Sequence, residues 1–125
     1  MASKKLKILI CDDIVMNRFL LKQLVKTLGH ESVEVNDGQQ AVDAVNQATY
    51  DLVLMDVEMP VMNGIDATRI IKEKFGDAIK VVALTAHDPK IFAEDYVGHK
   101  FDDIMTKPFS VEKLQEVIRH MFGVE

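Results

Sequence analysis

The chain of 125 residues contains no tryptophan, one cysteine and three prolines, and its basic side chains are outnumbered by its acidic ones. Each shortage excludes something. The lone Cys11 rules out an internal disulfide and fits a reducing compartment, so a cytoplasmic location is expected. Cys11 also sits in an apolar run where a small buried residue belongs, and the aspartates nearby would raise its thiol pKa. An inert thiol is expected. No apolar run approaches the ~20 residues of a membrane span. The start, Met1-Ala2-Ser3-Lys4-Lys5, is basic, but the apolar stretch behind it stops at Asp12. That is too short for the core of a signal peptide, and no cleavage-site pattern follows. With 15 Lys and Arg against 20 Asp and Glu, the net charge is −5. Neither nucleic acid nor an anionic membrane is expected as a direct partner.

What is present describes one globular domain. The apolar fraction of 48% and charged fraction of 28% argue against disorder, and the length suffices to bury a sizeable core. Apolar runs alternate with amphipathic stretches along the whole chain. Lys7-Ile8-Leu9-Ile10-Cys11, Leu52-Val53-Leu54-Met55 and Val81-Val82-Ala83-Leu84 lack polar alternation. Such runs mark strands buried on both faces of a parallel sheet. Ser32 to Asn36 alternates weakly and reads as a short second strand, and Asp103 to Thr106 as a short fifth.

Helical stretches lie between them. Ile14 to Leu28 places Phe19, Leu20, Leu24, Val25 and Leu28 near helical spacing, with Gly29 as the stop. Asp37-Gly38-Gln39-Gln40 has the form of a capping box ahead of Ala41, Val42, Val45 and Ala48. A loop through Asn63-Gly64 leads to a helix carrying Ile65, Thr68, Ile70, Ile71 and Phe75, closed by Gly76. Asp88-Pro89 reads as the cap and first residue of a fourth helix. Ser110 caps a last helix with Leu114, Val117, Ile118, Met121 and Phe122 on one stripe. Five strands alternating with five helices, joined by right-handed crossovers, predict an α/β doubly wound parallel sheet in the order 2-1-3-4-5. In this flavodoxin-like fold the switch point lies between strands one and three.

The chemistry gathers at the strand ends. The first strand runs into Asp12-Asp13, the third into Asp56, the fourth into Thr85, and the fifth into Lys107-Pro108. Three carboxylates, a hydroxyl and an ammonium therefore share the carboxyl rim of one sheet, where open α/β sheets bind ligands. Two unit charges ~4 Å apart repel by about 4 kcal/mol at an effective dielectric near 20. A cluster of three needs a cation or a proton. Hard oxygen donors suit Mg²⁺, which takes one or two carboxylates and shares its octahedron with phosphate. Alone, Asp12-Asp13 reads more readily as a helix cap; Asp56, Thr85 and Lys107 turn the balance toward a site. Lys107 before Pro108 has an extended backbone that aims its ammonium at a phosphoryl oxygen or at Asp56.

These residues carry a resemblance. The chain resembles the receiver domain of two-component response regulators over Lys5 to Phe122. The Asp12-Asp13 pair, Asp56 in Leu-Met-Asp-Val-Glu-Met-Pro-Val-Met-Asn-Gly, Thr85 in Ala-Leu-Thr-Ala, and Lys107-Pro108-Phe109 stand in the family's order. Met16-Asn17-Arg18 and the Met-Pro-Val-Met-Asn-Gly loop are similar to receivers attached to hybrid histidine kinases. The resemblance implies that Asp56 takes a phosphoryl group from a phosphohistidine on a histidine kinase or histidine phosphotransfer domain. It implies Mg²⁺ held by Asp12, Asp13, Asp56 and the backbone carbonyl of Glu58, with Thr85 and Lys107 completing the phosphoryl cradle. A cis Lys107-Pro108 bond is expected from it too. Such a domain accepts a phosphoryl group rather than turning over a substrate, and then switches contacts with a downstream protein.

Two positions depart from the family. Ile104 stands three residues before Lys107, where an aromatic is usual, and Lys100 stands where a glycine commonly precedes the stretch matching Phe101-Asp102-Asp103. Activation is therefore expected to reshape Ala86 to Lys100 rather than flip an aromatic side chain. Glu58 and His87, each two residues beyond a site residue, are expected to tune phosphoryl lifetime. Residues 1–125 are read as a single receiver domain with no output domain. A haloacid-dehalogenase-like phosphatase fits less well, since Met59-Pro60 follows Glu58 where threonine or valine is wanted. A flavin site fails because Asp12-Asp13 would repel a phosphate. A degenerate receiver that binds without phosphorylation remains an alternative.

Overall fold

The computed structural model describes residues 5–57, 59, 61–86 and 101–123. Its frame is a five-stranded parallel sheet in the order β2-β1-β3-β4-β5. The apolar runs form the middle of it: β1 (Lys7–Cys11), β3 (Leu52–Asp56) and β4 (Lys80–Thr85), flanked by β2 (Glu31–Val35) and β5 (Asp103–Thr106). Every residue of β3 is buried, as are all of β4 but Lys80 and all of β1 but Lys7. Strand periodicity then divides the core in two. Ile8, Ile10, Leu52, Leu54, Val82 and Leu84 face one helical layer, meeting Leu21 and Val25 of α1 (Val15–Thr27). Leu114, Val117 and Ile118 of α4 (Val111–Phe122) join them there. On the other side Leu9, Cys11, Val53, Met55 and Val81 meet Ala41, Val42 and Val45 of α2 (Gly38–Gln47). Ala67 and Ile71 of α3 (Gly64–Phe75) complete that layer, and a short 3₁₀ turn, Gly76–Ala78, leads from α3 to β4.

The expected caps Asp37 and Ser110 are in place, and Asn63, read only as a loop residue, caps α3. Asp37 Oδ1 accepts the Gln40 N–H at 2.8 Å while Gln40 Oε1 reaches back to the Asn36 N–H at 3.0 Å. Asn63 Oδ1 and Ser110 Oγ accept the third N–H of α3 and α4 in the same manner. These bonds satisfy helix N–H groups that have no partner within the helix.

Two details differ from the sequence reading. The second strand runs from Glu31 to Val35 rather than from Ser32 to Asn36, because the Asn36 N–H is taken by the Gln40 side chain. On α1 the buried stripe is Leu21 and Val25, with Leu24 and Leu28 partly buried, whereas Phe19 and Leu20 are exposed. Counting back from Leu21 at 3.6 residues per turn, Leu20 and Phe19 lie about 100° and 200° off that stripe. Four α-helices lie among the described residues where five were expected; the stretch from Asp88-Pro89 is outside them.

At the amino ends of the strands the fold is tied by polar groups. The Lys72 ammonium, on the last turn of α3, meets Asp102 Oδ2 at 2.6 Å and donates to the Ile79 carbonyl at 2.8 Å. Asp102 Oδ2 also accepts the Val81 N–H at 2.7 Å, so a largely buried charge pair is hydrogen-bonded on both sides. Asp51 Oδ2 accepts the Lys7 N–H, and His30 Nδ1 accepts the Leu6 N–H, both at 2.9 Å.

The His30 bond needs an unprotonated Nδ1. Burial holds this imidazole below its ordinary value of 6.5, against the opposing charge of Asp51. The unfolded chain thus takes up this proton at a higher pH than the folded one. The stabilisation from His30 is complete above about pH 6.5 and is lost as the pH falls below it. Thermal midpoints measured from about pH 7.5 to 5.5 should fall less steeply for His30→Gln than for the parent. Equal slopes would remove His30 as the cause.

Candidate functional site

Because the strands are parallel and in register, their carboxyl ends align. Cys11 pairs with Met55, Asp56 with Leu84, and Thr85 with Thr106. The residues that end or follow those strands therefore converge on one rim. Asp12 is fully buried, Asp56 is 4% exposed, and Asp13 faces solvent. A carboxylate oxygen from each of the three lies within 4.8 Å of the others. Thr85 is buried at the end of β4, and the Lys107 N–H donates to the Thr85 carbonyl at 2.9 Å, which ties the two remaining strand ends together. The Lys107–Pro108 peptide bond is cis, as expected. All five strand-end residues singled out in the sequence thus stand on one edge of the sheet. Glu58 and His87 lie outside the described residues.

Asp12 is held at three points. Its Oδ1 accepts the Ile14 N–H at 2.9 Å and its Oδ2 accepts from Asn17 Nδ2 at 3.2 Å. Arg18 Nη1 donates to its main-chain carbonyl at 2.8 Å, while Arg18 Nε pairs with Glu34 of β2 at 3.4 Å. The helix-capping role and the site role of Asp12 therefore coexist: one oxygen receives the residue that caps α1 while the carboxylate still faces its neighbours. Asn17 and Arg18 carried only the family resemblance in the sequence, with no stated task. Their spacing of five and six residues beyond Asp12 on the first turn of α1 was the available signal.

The loop after Asp56 is packed against the site by its main chain. A Cβ on Gly64 would come within 2.0 Å of the Asp56 carbonyl oxygen, and one on Gly38 within 2.3 Å of the Met62 carbonyl. Neither position admits a side chain. Gly64 N–H donates to Val57 O and Gly38 N–H to Met62 O, so α2 and α3 both start on this loop. Val61 at its tip has φ of 68°, a left-handed conformation that costs a β-branched residue of order 1–3 kcal/mol. Its side chain is 83% exposed. Further apolar side chains are exposed on the other side of the acids: Ile14, Val15, Met16, Phe19 and Leu20, with Met16 at 71%.

Cys11 lies just beneath. Burial pushes its thiol well above the ordinary range, and the charges of Asp37, Asp56 and Asp12 add to that. Its Sγ donates to the Asp37 carbonyl at 3.3 Å. A buried thiol kept in its protonated form agrees with the sequence expectation. Ile104, in place of the usual aromatic, is half-buried against Val57 and Ala83.

The comparisons agree with this geometry. The profile of the response regulator receiver domain matches residues 8–119, and the chain belongs to that family. It is 37% identical over 99% of its length to the sensor protein GacS of Pseudomonas syringae pv. syringae, of which it spans 14%. It is 31% identical over 97% of its length to the two-component response regulator 24 of Arabidopsis thaliana, spanning 87% of that protein. Among solved structures, the receiver domain of a Pseudomonas aeruginosa sensor histidine kinase, with magnesium in its active-site cleft, superposes with a TM-score of 0.86. The two are 30% identical, over 97% of this chain and 100% of that one. This is a signalling domain of two-component and phosphorelay systems, of the kind found in hybrid histidine kinases.

Three like charges at this spacing oppose folding unless a cation offsets them. Asp13→Asn, at the exposed corner, removes one charge with little change in volume. In metal-free buffer its thermal midpoint should rise by a few degrees, equivalent to about 1 kcal/mol for a domain of this size. Its further gain from millimolar Mg²⁺ should shrink. An unchanged or lower metal-free midpoint would show that the acids are not in conflict.

Proposed function

We propose that Asp56 accepts a phosphoryl group from a phosphohistidine on a histidine kinase or histidine phosphotransfer domain, with Mg²⁺ as cofactor. The observation that carries this reading is the convergence of the Asp12, Asp13 and Asp56 oxygens within 4.8 Å beside Thr85 and Lys107. Three hard oxygen donors on a rim open at Asp13 fit a small divalent cation that keeps some of its waters. Asp12, Asp13 and Asp56 would hold it, with the backbone carbonyl of Glu58 as the further ligand expected from the family. When bound, the ion neutralises the carboxylates and the phosphoryl oxygens.

In the transfer, a carboxylate oxygen of Asp56 forms its bond to phosphorus as the bond from phosphorus to the imidazole nitrogen breaks. The electron pair returns to the imidazole. Thr85 and Lys107 meet the phosphoryl oxygens with a hydroxyl and an ammonium. Such a reaction needs positioning and charge neutralisation more than covalent help. The phosphoryl group stays on the protein, so the domain is a stoichiometric acceptor rather than a turnover enzyme. It works in the cytoplasm as one unit over residues 1–125, and it signals by changing its contacts with a downstream protein. Glu58 and His87 tune the phosphoryl lifetime, and Ala86 to Lys100 is the segment that responds. A degenerate receiver is disfavoured because Asp12, Asp13, Asp56, Thr85 and Lys107 are all present. The phosphatase reading is disfavoured by Met59-Pro60.

The donor must bring its phosphorus to bonding distance of Asp56, so it has to cover the surrounding rim. Ile14, Val15, Met16 and Phe19 begin one residue after Asp13 and are exposed, which suits a protein donor with an apolar face.

Incubation with Mg²⁺ and acetyl phosphate should add one phosphoryl group per chain by intact mass, and none to Asp56→Asn. Equal labelling of the variant would defeat the assignment. With a phosphohistidine protein that labels the parent, Phe19→Asp should slow transfer roughly tenfold relative to labelling by acetyl phosphate, a loss of ~1.4 kcal/mol of binding. An unchanged ratio would place the donor elsewhere.

A further inference from the structure

Lys113 occupies the third position of α4, after the cap Ser110. A cation in the first turn meets the positive end of the helix dipole, where acids are favoured and lysine is not. Its side chain does not run out into solvent. Its ammonium turns back from the helix and donates to the Thr106 carbonyl at 3.1 Å and to the Pro108 carbonyl at 2.8 Å. Those two carbonyls flank Lys107 on either side. The Lys107 N–H is fixed as well, to the Thr85 carbonyl at 2.9 Å. Phe109, just beyond, is buried in the core against α4.

We propose that Lys113 is a positioning residue for Lys107: its ammonium clamps the two peptide carbonyls around Lys107, so that the Lys107 side chain departs from a main chain held on both sides. The donor is charged, which strengthens both bonds relative to neutral ones. Its value lies in geometry. Lys107 carries a flexible four-carbon stem, and only the direction of its Cα–Cβ bond limits where the ammonium can reach. A small misplacement of a group that meets the transferring phosphoryl is costly in rate. The inference rests on the role proposed above for Lys107. It adds a residue that touches neither metal nor phosphoryl group.

The test is a double-mutant cycle on the whole chain, reading the initial rate of phosphorylation by acetyl phosphate at saturating Mg²⁺. Lys113→Met keeps the stem and removes the clamp, and the rate should drop roughly tenfold. Lys113→Arg, which can still donate to both carbonyls, should recover most of it. In a Lys107→Ala background, Lys113→Met should cost nothing further, because there is no ammonium left to aim. A merely structural role would instead slow both backgrounds by the same factor. Mg²⁺ affinity by calorimetry should be unchanged in Lys113→Met, since the clamp bonds the Thr106 and Pro108 carbonyls and none of the acids. A parental rate in Lys113→Met, or an equal loss in both backgrounds, overturns the proposal. A parental rate in Lys107→Ala would instead overturn the role of Lys107 itself, which separates the two failures. Should Lys113→Met fold poorly, Lys113→Gln, which keeps one donor without charge, gives the same cycle.

Discussion

The electrostatic conflict among Asp12, Asp13 and Asp56 is the constraint around which the domain is arranged. Like charges this close do not assemble by themselves, so something stiff has to hold them. The stiffness comes from the parallel sheet, whose central strands are buried on both faces and whose registers bring the strand ends level. Two helical layers bury the apolar residues that fix those registers, since a slip by one residue would turn each strand's core face outward. The polar bonds to Asp12 from Ile14, Asn17 and Arg18 then fasten the most buried of the acids. The free energy of the core is in effect spent on one unfavourable cluster, and that cluster is what makes the rim receptive to a cation.

The two ends of the sheet are built on opposite principles. At the amino ends, charge is balanced within the protein: Lys72 and Asp102 meet with their remaining hydrogen bonds satisfied by Ile79 and Val81. At the carboxyl ends, three acids gather their oxygens within 4.8 Å, a donor set that suits a cation from outside. A sealed end and a receptive end suit a domain that must keep its fold while its site changes charge by roughly two units, the scale of an added phosphoryl group.

Much of this was legible in the sequence, for reasons that differ by element. Strands β1, β3 and β4 were readable because a short unbroken apolar run that stops at Asp or Thr matches a doubly buried strand and little else, and β5 was placed from Asp103 to Thr106 without error. The caps at Asp37 and Ser110 are local, and local chemistry shows in a sequence. The inward face of α1 was not readable. Ile14, Val15, Met16, Phe19, Leu20, Leu21 and Leu24 are apolar nearly all round the helix, so periodicity could not choose among them, and the packing against β1, β2 and α4 did. Nor were Asn17, Arg18 and Lys113 assigned tasks, because a side chain that bonds a distant carboxylate or a backbone carbonyl leaves no pattern of its own. Gly64 looked like a turn residue. Its reason is steric, the nearness of the Asp56 carbonyl, and only three dimensions reveal that.

That nearness has a mechanical meaning. The first residue of α3 meets the Asp56 main chain as a glycine against a carbonyl, with the Met55 side chain packed beside them. The next links, Gly64 to Val57 and Gly38 to Met62, are also main chain to main chain. Side chains can hop between rotamers and absorb a displacement, whereas backbone in direct contact passes it on. At Gly64 and at Gly38 the helices therefore meet their neighbours through backbone alone. A shift of the peptide at Asp56 would meet the opening turn of α3 with no rotamer of Gly64 to absorb it.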